Sequence, residues 1–213
     1  MKNNKLLAAL GCGLALLALA LPGCTKISRS DYQKLQSPEQ PLLSQIPKVF
    51  DEMIAGQLKE TALDMDELWQ HFSSEGSDFA ALCKQYGFRQ SEDIQCNFAV
   101  RLKGEIVEVN RKSRKGMVTV KTPGGQSVRV QIGPVIGGTA LRDILKSVTY
   151  LDFNDQTVYG DFGQKINELC AERAAKTEFK EGATLEVLGA FSTWDIPSTP
   201  SQVQIAPVSL NQE

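Results

Sequence analysis

The run GPVIGGT at residues 133–139 has the spacing of a phosphate-binding loop with one part missing. A P-loop reads Gly, four residues, Gly, Lys, then Ser or Thr. Its glycines let backbone amides approach the phosphates, and its lysine meets their charge. Here Gly133, Gly138 and Thr139 hold their places, and the lysine is absent. An anion site would use Gly137 and Gly138 for close approach and the start of the ALRDIL segment for free N–H groups. The mechanical reading needs no ligand. Gly133-Pro134 turns the chain, the two glycines take unusual dihedrals, and Thr139 caps a helix. Leu141, Ile144, Leu145 and Val148 then bury one stripe, leaving Arg142 and Asp143 on the other face. Every residue type is accounted for, so a turn and cap is the expected role.

Arg142 and Asp143 precede a polar segment with Asp152, Asn154, Asp155 and Gln156. Planar donors and acceptors of this kind hold sugar hydroxyls in bidentate pairs. Tyr150, Phe153 and Tyr159 would stack on the apolar face of a saccharide. The competing role is a solvated turn, where Asn and Asp are common for backbone reasons. The basic run RKSRK, residues 111–115, suits either anionic headgroups or a soluble hairpin loop. Carboxylates pair along the chain at Asp64/Asp66, Glu92/Asp93 and Asp152/Asp155, but glycosidic chemistry needs two across a cleft. The only histidine, His71, has no visible catalytic partner, and no nucleophile elbow or Cys-His arrangement occurs. The expectation is a chain without enzymatic activity, cofactor or metal.

The first residues set the compartment. A basic head, MKNNK, leads an apolar run shorter than the ~20 residues that span a bilayer. Leu21-Pro22-Gly23-Cys24 then resembles a bacterial lipobox, in which Cys24 is lipidated and becomes the first mature residue. Cleavage there removes Lys2 and Lys5, leaving 21 Lys+Arg against 25 Asp+Glu, a net charge of −4. Nucleic acid is thus excluded as a partner, since it calls for clustered cations. In an oxidising periplasm Cys83 and Cys96 are candidates for a disulfide, with Cys170 as a buried thiol on a helix. No CxxC or HxxxH spacing points to a metal.

The elements that must position these groups fall into three stretches. Residues 24–43 are polar, with Pro38 and Pro41, and read as a tether after the signal peptide 1–23. Residues 44–96 form a helical subdomain. Ile46, Val49, Phe50, Met53, Ile54 and Leu58 make one stripe, Asp64 with Glu67 opens a second helix, and Ser77 opens a third ending at Gly87. From residue 97 to 213 the period changes to two. Phe98, Val100 and Leu102 share a face, Gly104 marks a phase slip that turns Val107 and Val109 inward, and two more strands follow. VTYLDF and TVY read as short strands, Asp161 with Gln164 as the start of a longer helix, and ATLEVLGAF and SQVQIAPVSL as closing strands, the last with a slip at Pro207. Three strands, a helical connection of about 50 residues and two strands is the order of an OB-type barrel. The expected fold class is α+β, a helical N-terminal subdomain before an OB-like antiparallel barrel of five or six strands with an inserted helical connection. An open mixed sheet with helices on one face is the alternative.

QIGPVIGGTALRDIL, LDFNDQTVYGDFGQKIN, NRKSRKG and the closing GAF resemble bacterial periplasmic lipoproteins known as domain of unknown function 2291. The resemblance covers most of the chain after the tether and is strongest from residue 100 onward. It implies a protein anchored to the cell envelope through lipid, facing the periplasm. Members are encoded beside ribose-type sugar ABC transporters, so it also implies a transporter, its binding protein or a saccharide as partner. It carries no catalytic residues over to this chain.

Overall fold

From Cys96 onward apolar and polar side chains alternate, and that period builds a closed barrel. The protein's structure, a computed structural model, describes residues 41–74, 77–153 and 155–213. The expected signal peptide, Cys24, the tether up to residue 40 and Asn154 lie outside those residues. Seven strands are β1 (Leu63–Asp64), β2 (Gly87–Phe88), β3 (Cys96–Asn110), β4 (Lys115–Lys121), β5 (Ser127–Pro134), β6 (Thr184–Thr193) and β7 (Gln204–Gln212). β3, β4 and β5 form an antiparallel meander. β5 pairs in parallel with β7, β7 runs antiparallel to β6, and β6 returns to β3 to close five strands into a barrel. β1 and β2 are short extra strands on β3. Val118, Val120, Val128, Val130, Leu185 and Ile205 fill the interior and are fully buried.

One strand serves both halves of this barrel. Residues 96–105 of β3 pair with β6, and residues 105–110 pair with β4. The change of partner forces β3 to bend across the end of β4. Gly104 sits at the bend, where an added Cβ would stand 2.2 Å from the Lys121 carbonyl oxygen. A backbone approach that close admits only glycine. The register slip lies further on, between Ile106 and Glu108, where a bulge interrupts the β3–β4 ladder. Ile106 is therefore buried, Val107 is 41 % exposed, and Val109 is half-buried. The inward placement expected for Val107 is corrected: the bend and the bulge are separate devices two residues apart. The slip expected at Pro207 is present, opposite Gly189.

Helices cover the barrel in two groups, within one compact unit, Glu39–Glu213. They are a four-residue helical turn at Pro41–Ser44, α1 (46–61), α2 (Met65–Ser73), α3 (Phe79–Tyr86), α4 (Ala140–Asp143) and α5 (Gln156–Ala174). Met65, Leu68 and Phe72 of α2 and Cys83 of α3 extend the barrel core, with Phe72 edge-on to Phe98 at 5.3 Å. Cys83 and Cys96 are joined in a disulfide, Cα to Cα 6.0 Å, tying α3 to the start of β3. A second core lies between α1, α4, α5 and the outer face of the sheet, around Phe50, Ile54, Leu58, Leu141, Leu145, Phe162 and Ile166. Val49–Ile54 of α1 is wound wider, as a π-turn in which the Ala55 N–H reaches back to the Phe50 carbonyl. Asp51 accepts from both terminal nitrogens of Arg173, at 2.5 and 2.9 Å, which joins α1 to α5. From β3, the Arg101 guanidinium donates to the Lys59 and Ala62 carbonyls at the end of α1.

The helix starts are local chemistry. Asp64 caps α2, accepting from the Asp66 and Glu67 amides at 2.8 and 3.3 Å. Two expected starts are corrected. α3 is capped by Asp78, which accepts from the Ala80 N–H, while Ser77 donates to the His71 and Ser74 carbonyls. α5 begins at Gln156 under Asp155, five residues before the expected turn at Asp161. VTYLDF is not a strand either. Tyr150–Asp152 is a single 3-10 turn, and TVY belongs to the first turn of α5. Val148 and Phe153, two of the apolar residues that suggest a strand there, are drawn into the helical core instead, Phe153 5.0 Å from the Phe162 ring, while Leu151 is left 74 % exposed.

Gly104→Ala tests the bend. The methyl would collide with backbone rather than a movable side chain, so the variant loses about 3 kcal/mol or more of unfolding free energy in urea titration. Gly138→Ala, a glycine with open space around it, loses only the penalty of a left-handed dihedral, about 1 kcal/mol.

Candidate functional site

β5 delivers the chain into the glycine turn, and the turn is held from two sides. Gly133 and Gly138 have φ of 77° and 82°, left-handed values that favour glycine. Gln131, buried at the end of β5, accepts the Gly137 N–H at 2.7 Å and donates to the Gly137 carbonyl at 3.2 Å. From α5, Asn167 donates to the Ile136 and Gly138 carbonyls at 3.3 and 2.8 Å. A cation does come near the turn, from β4: Lys115 Nζ would lie 3.0 Å from a Cβ placed on Gly137. Yet the Gly137 amide that a phosphate cradle would use already serves Gln131. Thr139 stands at the N-cap of α4, but its hydroxyl donates to Asp143 Oδ2 at 2.5 Å instead of accepting a backbone N–H.

The expected sugar-binding groups are brought together in part. Arg142 Nε donates to Asp143 Oδ1 at 2.7 Å, and its guanidinium lies over the Tyr159 ring, 3.9 Å from the centroid. Tyr159 donates its hydroxyl to Asp143 Oδ1 at 3.2 Å, and its carbonyl accepts from Arg142. The side chains of Arg142 and Asp143 are 14 % and 17 % exposed, so this is a sheltered pair. Burial first, and then the Asp143 charge, hold the Tyr159 phenol above its usual range against the pull of Arg142. The 133–143 and 150–159 segments thus meet through Tyr159, but as a closed network. Tyr150 packs edge-on to Tyr159, and Phe153 lies 5.2 Å from it.

The rest of the polar segment closes helices. Asp152 accepts the Thr149 N–H at 2.6 Å and the Thr149 hydroxyl at 3.1 Å. Asp155 accepts the Thr157 and Val158 amides at 2.7 and 3.0 Å. Gln156 is exposed in the first turn of α5, and Asn154 is outside the described residues. Other carboxylates are also engaged: Asp66 accepts from the Thr122 hydroxyl and the Gly124 N–H, fastening α2 to the β4–β5 turn. His71 stacks on Tyr86, centroids 4.3 Å apart. The Cys170 thiol donates to the Pro207 carbonyl, and burial pushes its pKa up to about 12, which suppresses its thiolate. Among the described residues no group of three or more His, Cys, Asp or Glu could hold a metal ion.

One group escaped the reading from sequence. Trp194, just after β6, is 63 % exposed and lines a groove at the end of the barrel. Its signal was present: an indole inside STWDIPSTPS, a Ser/Thr/Pro-rich connection between two strands.

A closed five-stranded barrel with its one parallel seam between β5 and β7, and its helical crossover between β5 and β6, is an OB-type barrel. A solved structure agrees. An OB-fold protein from Thermotoga maritima MSB8 superposes with a TM-score of 0.63 at 12 % identity, over 81 % of this chain and 98 % of that one. An OBody bound to hen egg-white lysozyme covers 54 % of this chain and 80 % of its own, at 14 % identity and a TM-score of 0.29, too low to bear on the fold. No curated protein matches the chain. Residues 14–211 match the family described as predicted periplasmic lipoprotein, DUF2291, and the chain belongs to that family. It is an envelope protein, lipid-anchored and facing the periplasm.

The closed network has a measurable consequence. Asp143→Ala strips the sheltered Arg142 of its carboxylate and lowers stability by about 2–3 kcal/mol in chemical denaturation, whereas Asp152→Ala loses a cap and about 1 kcal/mol. The raised Tyr159 pKa stabilises the fold fully below the unfolded phenol value near 10, and that contribution is lost as pH rises through the folded value. Tyr159→Phe removes this part of the alkaline decline, which thermal melts above pH 9 will read.

Proposed function

We propose that the chain is a non-catalytic accessory module of sugar uptake, held at the membrane through lipid on Cys24. It works beside a sugar ABC transporter or that transporter's binding protein. What supports the reading most is the mutual engagement of the groups that could have done chemistry. Asp143 accepts from Thr139, Arg142 and Tyr159, and Asp64, Asp152 and Asp155 serve backbone amides. General acid–base catalysis needs a group with a proton site within reach of substrate, and a carboxylate filled by its own fold is poorly placed for that. A docking or binding module needs a rigid surface instead, and a barrel braced by two cores suits it. The link to sugar uptake rests on the genomic company that the family resemblance implies.

Uptake of labelled sugars by the host at sub-saturating concentration tests this. Deleting the gene slows uptake, and the wild-type chain restores it. Cys24→Ala frees the chain from the membrane, dilutes it relative to its partner, and fails to restore it. Arg142→Lys, which keeps a cation beside Asp143, restores it. Unchanged uptake in the deletion strain would leave a structural envelope role in its place.

A further inference from the structure

The connection between β6 and β7 is built stiffly around an indole that stands exposed among the described residues. Thr193 donates its hydroxyl to the Asp195 carbonyl at 2.6 Å, and Asp195 Oδ1 accepts the Ile196 N–H at 2.8 Å. Gln202 Oε1 accepts the Ser198 N–H at 2.8 Å, and the Arg129 N–H on β5 donates to the Val203 carbonyl at 3.3 Å. Pro197 and Pro200 fix two more backbone angles. The loop is thus closed by its own polar groups and pinned to the barrel at its far end. Trp194 nevertheless stands 63 % exposed, with no ring or hydrogen-bond partner among the described residues. An exposed large apolar side chain on a braced loop is informative, because the same loop had the means to bury it.

The groove beside Trp194 encloses about 310 Å³. Its floor is apolar, from Phe191 and Val203, both buried. Its rim carries Gln95 and Gln202, whose side-chain nitrogens have no partner among the described residues, and Asp195, whose second carboxylate oxygen is likewise unbonded there. Among the described residues the lining contains that one carboxylate and no lysine, arginine or histidine. Anionic ligands, phosphates and nucleic acid among them, are therefore disfavoured. A neutral saccharide matches the set. One face of a sugar ring is C–H and covers an indole, while its rim of hydroxyls meets planar amides and a carboxylate in paired hydrogen bonds. In OB barrels the connection between the last two strands is one of the loops that border the ligand face. We propose that Trp194, Gln95, Gln202 and Asp195 form a binding site for a neutral saccharide. The proposal rests on the accessory role in sugar uptake for its biological setting, though not for its chemistry.

The chain has two tryptophans, so Trp69→Phe leaves Trp194 as the sole indole reporter. D-Glucose, D-galactose, D-ribose, N-acetyl-D-glucosamine and maltose are titrated into that variant, and into the wild type by calorimetry, up to about 20 mM. At least one gives a saturable change in Trp194 emission with matching heat. Trp194→Ala, at an exposed position and expected to melt as the wild type does, and Gln95→Ala, which removes no side-chain hydrogen bond among the described residues, weaken it about tenfold or more in the calorimetric titration. Absence of any saturable signal overturns the site, as does binding that survives Trp194→Ala. Shielding of Trp194 from acrylamide by a protein partner, with none from the sugars, overturns the saccharide in favour of a docking surface. A deletion strain with slowed uptake and a chain that binds no sugar would keep the accessory role and remove this site.

Discussion

A strand fifteen residues long that pairs with one neighbour along its first part and another along its second cannot stay flat. The bend of β3 at Gly104 is the constraint on which the other parts depend. Without it, β6 and β4 would extend one sheet and leave two open edges, which solvent-exposed proteins must otherwise protect. With it, β6 returns to β3, the interior valines are enclosed, and the loops at both barrel ends are held in place. The price is a backbone contact that no side chain tolerates, and that explains a glycine in the middle of an otherwise strong strand. The bulge two residues on then re-aims the strand toward β4, at the expense of leaving Val107 in water.

Closing the barrel leaves its outer face to be covered, and the long crossover does this. Between β5 and β6 the chain lays α4 and α5 against the sheet, where α1 meets them from the other end of the sequence. The glycine turn is the start of that crossover. Gln131 reaches back from the barrel and Asn167 from α5, so the turn is the joint at which the two cores are registered. Arg142, Asp143 and Tyr159 do the same one step further along. Their polarity is internal to the joint: partly buried charge has to be paired where it lies, and here it is.

Much of this was legible because it is local. Strand alternation, the cap at Asp64, the glycine turns and the buried stripes of α1 and α4 need only backbone preference and period to be read. The misreadings share one cause. Ser77 and Asp78 are both good caps, and in the folded chain Asp78 takes the role while the Ser77 hydroxyl is spent on the His71 and Ser74 carbonyls at the end of α2. Asp161 and Gln164 have capping-box spacing inside a helix, where Gln164 instead donates to Glu168 one turn on. VTYLDF has strand composition, but the core of α5 and α1 claims Phe153. In each case tertiary packing chose among locally equivalent options.

The candidate site shows the same limit from the other side. Arg, Asp, Asn and Gln near tyrosines describe a sugar site and a helix junction equally well in composition. Only partners separate the two. Once Asp143 is seen to accept from three donors and Asp152 and Asp155 from backbone amides, their capacity to meet a ligand is reduced. The opposite holds at Trp194, where a loop braces itself with its own hydrogen bonds yet leaves an indole and the Gln95 and Gln202 side-chain nitrogens without a partner among the described residues. Free hydrogen-bonding capacity beside exposed aromatic surface, more than residue type, distinguishes a binding face from a structural one. By that measure the glycine turn is a structural joint, and the β6–β7 connection carries the features of the proposed binding face.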